Sequence, residues 1–270
     1  MQKGKGGKRN WYFTAGLFMT GAAVLLGVTG LFWTPYGTTA MSAAEKFAAP
    51  SVRHIFGTDN FGRDIFSRVM QGCGTTIGIS ALVVLFSGAA GIVLGALTGY
   101  FGGILDELVM RLNDAVNGFP SILLTLVLIS LLGTGRQNVI LALGIVFVPG
   151  YVRIVRGEFL RLRDADYIRR ARLMGVGRAR ILFVHILPNI LPVLRVSVTI
   201  GLNNAILAES GMSYLGIGVK PPDASLGKML SDAQGYLQSA PWYALAPGLM
   251  IVWIVLGFSL LGEGLQRQKA

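Results

Sequence analysis

Six stretches of the chain are long and apolar enough to cross a hydrocarbon layer: residues 11–33, 75–99, 115–132, 138–155, 190–216 and 242–262. A helix rises about 1.5 Å per residue, so about 20 apolar residues suffice for one crossing. In lipid every backbone polar group needs an internal partner, which leaves helices as the form for continuous apolar runs of this length. The expected fold class is an all-α polytopic membrane protein with about six transmembrane helices. Composition agrees: 14% of the 270 residues are charged, against roughly 25% in a soluble domain.

Two stretches need comment. Pro149 and Arg153 interrupt the fourth, and Arg153 lies near enough its end to carry its guanidinium back to the interface. The first follows Lys3, Lys5, Lys8 and Arg9 and runs 23 residues, from Trp11 to Trp33. That is longer than the apolar region of a secretory signal, and no small-residue cleavage site is well placed. A retained first span is expected, behind a cytoplasmic N-terminus at residues 1–10.

The net charge of +11 would suggest nucleic acid on a soluble chain. No aromatic–basic platform supports that here, so the expected partner is the lipid bilayer and no nucleic acid. Lys and Arg accumulate on cytoplasmic loops. With the N-terminus inside, sixteen of them fall in the inner segments and seven in the outer ones, and Arg195 lies within the fifth span. Both termini are therefore expected in the cytoplasm, with residues 266–270 as a short tail.

Chemistry is sparse. Cys73 is the only cysteine, and His54 and His185 fall on opposite sides of the membrane, so neither a disulfide nor a metal-ligand pair is available. Gly227-Lys228 is followed by Met229 and Gly7-Lys8 by Arg9, so no phosphate loop is completed. No serine triad or H-E-x-x-H pattern occurs. No catalysis, cofactor or metal of its own is expected.

Gly91, Gly95 and Gly99 recur every four residues and clear one face of the second span for a neighbouring helix, within one subunit or between two. Before that span, in an outer loop at 34–74, residues 57–70 read GTDNFGRDIFSRVM. Asp59 can cap a helix, and Phe61, Ile65 and Val69 share one face. A short amphipathic helix at the outer interface is expected. It would be either a structural edge or a contact for an external partner through Asp59, Arg63, Asp64 and Arg68. The outer segment 217–240, stiffened by Pro221 and Pro222, is long enough for a lid or docking surface.

Between spans four and five, Arg169, Arg170, Arg172, Arg178 and Arg180 crowd into twelve positions. A helix is expected over 164–174, capped by Asp164 or Asp166, with Ile168, Ala171 and Leu173/Met174 on its apolar side. Gly175 can take the left-handed conformation that ends it. A second helix would run from about 177 to Pro188, where span five begins. This helix–turn–helix is either a basic loop against anionic headgroups or a docking element. Tied at both ends to spans, it would turn a push on the cytoplasmic side into motion of those spans.

The segment resembles the cytoplasmic EAA loop of ABC importer permeases. Ala171 matches the third motif position, Gly175 the glycine, and His185, Leu187 and Pro188 the H-x-L-P ending. Other signatures resemble the C-type permease of the dipeptide/oligopeptide/nickel family. They are G-T-D-x-x-G-R-D-x-x-S-R at 57–68, G-Y-F-G-G at 99–103, Phe119-Pro120, I-L-A-E at 206–209, S-Y-L-G-I-G at 213–218, Pro221-Pro222 and A-P-G-L at 246–249. The resemblance covers about residues 50–265. Arg169 and Arg170 depart from it, standing where the motif has Glu and Ala, and the chain stops soon after Gly264.

The resemblance implies a type I importer (MetI-like) architecture in a bacterial or archaeal inner membrane. The permease core is 75–265, with a coupling loop at 157–188. It implies a second homologous permease, two ATP-binding subunits that hold ATP-Mg, and an extracytoplasmic substrate-binding protein. Tyr167, Arg169, Arg170, Ala171, Gly175, His185 and Pro188 would form the ATPase-coupling segment, with His185 bracing the turn by hydrogen bonds. Asp114, paired with Arg111 or holding a gate, and Glu209 are the gate or pathway candidates. Substrate would be a peptide, nickel or a metal chelate. L-G-T-G-x-x-N-V-I at 132–140 and G-M-S-Y-L-G at 211–216 lean slightly to nickel. The competing expectation is a self-sufficient secondary transporter or channel, which would show broken helices in inverted halves or midplane charges.

Overall fold

The computed structural model describes residues 10–267, and it is almost wholly helical. The basic start at Lys3, Lys5, Lys8 and Arg9, and the end of the tail from residue 268, lie outside the described residues. In chain order the helices are α1 (Trp11–Phe32), α2 (Ile65–Phe101), α3 (Gly103–Asn117), α4 (Ser121–Leu132), α5 (Arg136–Arg163), α6 (Asp166–Leu173) and α7 (Arg178–Arg180). A π-helical stretch, Ile181–Ile186, leads into α8 (Leu187–Tyr214), followed by α9 (Leu226–Ala233) and α10 (Pro241–Arg267). Among the described residues five helices are long and apolar enough to cross a membrane, six if the bent pair α3–α4 counts as one.

Three boundaries differ from the sequence expectation. Helix α2 begins at Ile65 rather than 75, so its 37 residues reach about 55 Å. The expected separate amphipathic helix at 57–70 does not form; its second half is the first part of α2, and its first half is a folded turn. The third span is broken, with α3 and α4 meeting at 93°. Pro120 sits at the break, lacking an N–H and disfavouring helical backbone at Phe119. Pro149, by contrast, does not interrupt α5, as transmembrane helices tolerate when neighbours satisfy the freed carbonyl.

The chain divides into two units. The first comprises Met1–Ala81, Leu132–Val139 and Thr199–Ala270. Its α1 buries Gly16, Thr20, Ala23, Gly27 and Gly30, a spacing of four and three that places small residues on one face. A Cβ at Gly16 would strike the Leu261 backbone of α10, and one at Gly27 the Gly74 backbone of α2. Asn10 joins the ends of α1 and α10, accepting from the Phe13 N–H at 3.4 Å and donating to the Gly264 carbonyl at 2.7 Å. The core of this unit gathers Ile65, Val69 and Cys73 of α2, Ile206 of α8, Leu226 and Met229 of α9, and Tyr243 and Ile254 of α10. Segment 217–240 thus carries α9 into the core and is not a free lid.

The second unit comprises Leu82–Leu131 and Ile140–Val198. Here the glycine face of α2 meets α5. A Cβ at Gly91 would strike Tyr151, one at Gly95 would lie 2.8 Å from the Val155 Cβ, and one at Gly99 would lie 2.7 Å from the Phe159 Cβ. The close approach is within this chain.

Candidate functional site

Helix α6 is the centre of the arginine-rich segment. Ile168 and Ala171 are buried, and Ile168 packs with Val155 and Phe159 of α5, Ile181 and Ile186 of the π-helical stretch and Ile190 of α8. Tyr167, Arg169 and Arg170 face outward, and so do Leu173 and Met174, 88% and 77% exposed. That corrects the expected apolar side: Leu173 and Met174 lie on the bare face. No side chain caps the helix at Ala165. Asp164 pairs with Arg163 instead, at 3.3 Å, and Asp166 sits in the first turn, where its charge suits the helix dipole.

The helix ends as expected at Gly175, whose φ is +77°. The Val176 N–H bonds the Ala171 carbonyl and the Gly175 N–H bonds the Arg172 carbonyl, both at 3.0 Å. This Schellman pair needs a left-handed residue at 175, which glycine adopts without Cβ strain. Beyond the turn, the helix expected to stop at Pro188 continues. The Leu187 N–H reaches back to the Leu182 carbonyl, a wider turn that accommodates the missing N–H of Pro188. The helix after the turn and the next apolar stretch form one continuous rod, Arg178–Tyr214.

His185 does not brace the turn with its ring, which makes no hydrogen bond among the described residues. Its backbone carbonyl accepts instead from Asn189 Nδ2 at 2.6 Å, and the same amide reaches the Tyr167 hydroxyl at 3.5 Å. Asn189 was not legible as part of this site, because it lies past the proline that sequence reading takes as a boundary. Two further contacts tie the end of α2 to the segment: Arg163 Nη1 donates to the Gly99 carbonyl at 3.3 Å, and Arg172 lies over the Tyr100 ring at 5.3 Å.

The acid–base pairs of α3 differ from expectation. Asp114 pairs with Arg153 of α5 at 3.2 Å, whereas Arg111 pairs with Glu107 one turn away on α3. A stronger clasp joins Asp106 to Arg156.

In the first unit, Asp59, Arg63, Asp64 and Arg68 are all buried, Asp59 completely. The Asp59 carboxylate accepts from the Phe61 and Arg63 N–H groups at 2.8 and 2.9 Å and from Arg63 Nε at 2.6 Å. Arg68 Nε lies 3.8 Å away. Asp64, rather than Asp59, caps α2, accepting from the Ser67 N–H at 2.7 Å. Its other oxygen meets His54 Nδ1 at 2.9 Å, and His54 Nε2 lies 3.7 Å from Glu45. All four take part in contacts that hold the chain's own fold.

Glu209 is also fully buried. Ser213 donates to it at 2.7 Å, and the hydroxyls of Thr76, Ser225 and Ser210 surround the carboxyl. Its hydrogen bond with Ser213 stays within α8, while Thr76 of α2 and Ser225 just before α9 come near the carboxyl from segments remote in sequence. No cluster of metal-ligating side chains occurs among the described residues.

A family model described as "Binding-protein-dependent transport system inner membrane component" matches residues 91–268. The chain belongs to this family. Its relatives include the dipeptide transport system permease proteins DppC of Alkalihalophilus pseudofirmus and of Haemophilus influenzae. Each is 37% identical over 96% of this chain, and over 85% and 90% of the relative respectively. The nickel transport system permease protein NikC of Escherichia coli is 33% identical over 95% of this chain and 92% of its own length. The solved MetNI methionine ABC transporter, in an inward-facing form, has the same fold: TM-score 0.61 at 20% identity, covering 75% of this chain and 96% of that one. This permease is accordingly a multi-pass, non-catalytic subunit of an ABC importer, with the type I architecture expected from its motifs.

Proposed function

We propose that this permease forms one half of a peptide-conducting pathway and is driven through α6 by a separate ATPase. The single observation carrying the coupling role is the two-sided character of α6. Ile168 bolts it to α5 and α8 and Ala171 is buried beside it, while Tyr167, Arg169, Arg170, Leu173 and Met174 stay bare. A force on the bare face therefore moves two apolar helices as one body. The excess of Lys and Arg in the segments on the α6 side supports a cytoplasmic placement, with both termini inside. Arg169 and Arg170 call for an acidic groove on the ATPase.

Peptide is favoured over nickel because the dipeptide permeases are 37% identical and NikC is 33% identical, which outweighs the local lean of two short motifs. A second homologous permease, two ATP-binding subunits and a binding protein complete the transporter. Alternating access follows when ATP and released substrate bind the two states with different affinity. Asp114, paired with Arg153 of α5, and Glu209, fully buried in α8, remain pathway candidates.

The test is reconstitution in liposomes with these partners. Dipeptide uptake that requires both ATP and binding protein is expected, and Arg169→Glu with Arg170→Glu should uncouple hydrolysis from uptake. Uptake by this chain alone, or unchanged coupling in the charge-reversed variant, would overturn the reading.

A further inference from the structure

A cavity of about 540 Å³ opens between the end of α2 and the turn that follows α6, lined by Tyr100, Phe101, Arg172, Gly175, Val176 and Arg178 among others. We propose that it binds the headgroup of an anionic phospholipid. The cavity stands at the right depth. No charged residue occurs between Arg68 and Asp106, and the apolar run from Ile77 to Phe101 reaches about 37 Å. It therefore crosses the hydrocarbon of about 30 Å and ends in an aromatic pair, as spans do at a headgroup layer.

Its charge is uncompensated. On neighbouring α5, Arg153, Arg156, Arg161 and Arg163 each pair with a carboxylate. Among the described residues neither Arg172 nor Arg178 does; Arg172 is instead held over the Tyr100 ring. Two arginines without acids, steered into one cavity at the edge of a membrane, suit a phosphate, and basic pockets between spans are a recurrent lipid-headgroup site.

The occupant is an amphiphile rather than a free anion or an acidic peptide, because the next turns of the same elements are apolar. A second cavity, of about 130 Å³, is lined by Ile92, Ala96 and Leu97 of α2 with Leu182, Phe183 and Leu187 after the turn. A phosphate against the arginines places an acyl chain along that groove. The proposal does not depend on α6 docking to an ATPase.

The test uses the purified full chain in detergent, titrated with phosphatidylglycerol, phosphatidylcholine or glycerol 1-phosphate and read by native mass spectrometry. Phosphatidylglycerol should be retained in preference to the other two. Arg172→Gln with Arg178→Gln should weaken it roughly fivefold per arginine, about 25-fold together. Arg169→Gln with Arg170→Gln removes the same charge outside the cavity and should bind as the parent does. If the double variant does not fold, Arg178→Gln alone carries the test, since that side chain has no partner among the described residues. Equal retention of phosphatidylcholine, equal binding of glycerol 1-phosphate, or parental affinity in the cavity variant overturns the proposal. So does a photoreactive residue at position 172 that captures an ATPase subunit instead of lipid in the assembled transporter.

Discussion

Arg156 holds Asp106 in a two-point clasp, with Nε donating to one carboxylate oxygen at 2.5 Å and Nη2 to the other at 2.7 Å. The planar guanidinium matches both oxygens at once, which lysine cannot do. The pair ties the start of α3 to α5, so α3 is anchored before the chain turns 93° into α4. Arg156→Lys and Asp106→Asn should each lower the thermal stability of the purified chain. A double-mutant cycle should return a coupling of about 1–2 kcal/mol, between the surface and buried values for such pairs. Additive losses would show that the clasp holds nothing.

The Asp59 cluster is expected to be the most sensitive charged site. Asp59→Ala leaves Arg63 and Arg68 buried without their carboxylate, a loss of about 3–5 kcal/mol. The variant should fail to accumulate in membranes, whereas Asp114→Ala, whose partner Arg153 is exposed, should accumulate normally. A quantitative blot of membrane fractions decides it.

Glu209 accepts from the Ser213 hydroxyl one turn along α8. Glu209→Ala deprives the buried Ser213 hydroxyl of its acceptor, at about 1–3 kcal/mol for a buried group left unsatisfied. Glu209→Gln keeps one oxygen acceptor and the side-chain length, so its midpoint in a detergent unfolding scan should lie between those of Ala and the parent. Identical midpoints for Ala and the parent would remove Glu209 from the structural core.

Two glycines should respond oppositely to alanine. At Gly91 the added Cβ meets Tyr151, while at Gly157 it meets nothing within 4 Å. Gly91→Ala should cost about 1–3 kcal/mol through overpacking, and Gly157→Ala should be neutral or gain up to about 1 kcal/mol from helix propensity. The two melting temperatures, measured side by side, test the α2–α5 contact.

At Gly175 the conflict is conformational, since space is open there and φ is +77°. Gly175→Ala should cost about 1 kcal/mol, and Gly175→Asn less, because Asn tolerates the left-handed region. If coupled uptake falls in the order Gly, Asn, Ala, Val at this position, the turn geometry controls α6; indifference to the series would rule that out.

The sequence by itself determined an all-helical membrane fold, the family, the end of α6 at Gly175 and the small-residue approach at Gly91, Gly95 and Gly99. Each of these is local. Apolar content, ordered motifs, a glycine at a helix end and a four-residue period need no knowledge of distant neighbours, whereas whether the third apolar run crosses whole or broken does. Only the tertiary structure decided the partners of Asp59, Asp114 and Glu209, the fate of residues 57–64 and the continuation of the helix past Pro188. A buried charge and an interfacial one read alike in sequence, because burial depends on which remote atoms surround the side chain. Asp59, Arg63 and Arg68 pass for a solvated face until the folded chain closes over them. Likewise, Pro188 removes one N–H, but whether that ends a helix or widens a turn rests on the packing of Ile186 and Ile190 against α5 and α6.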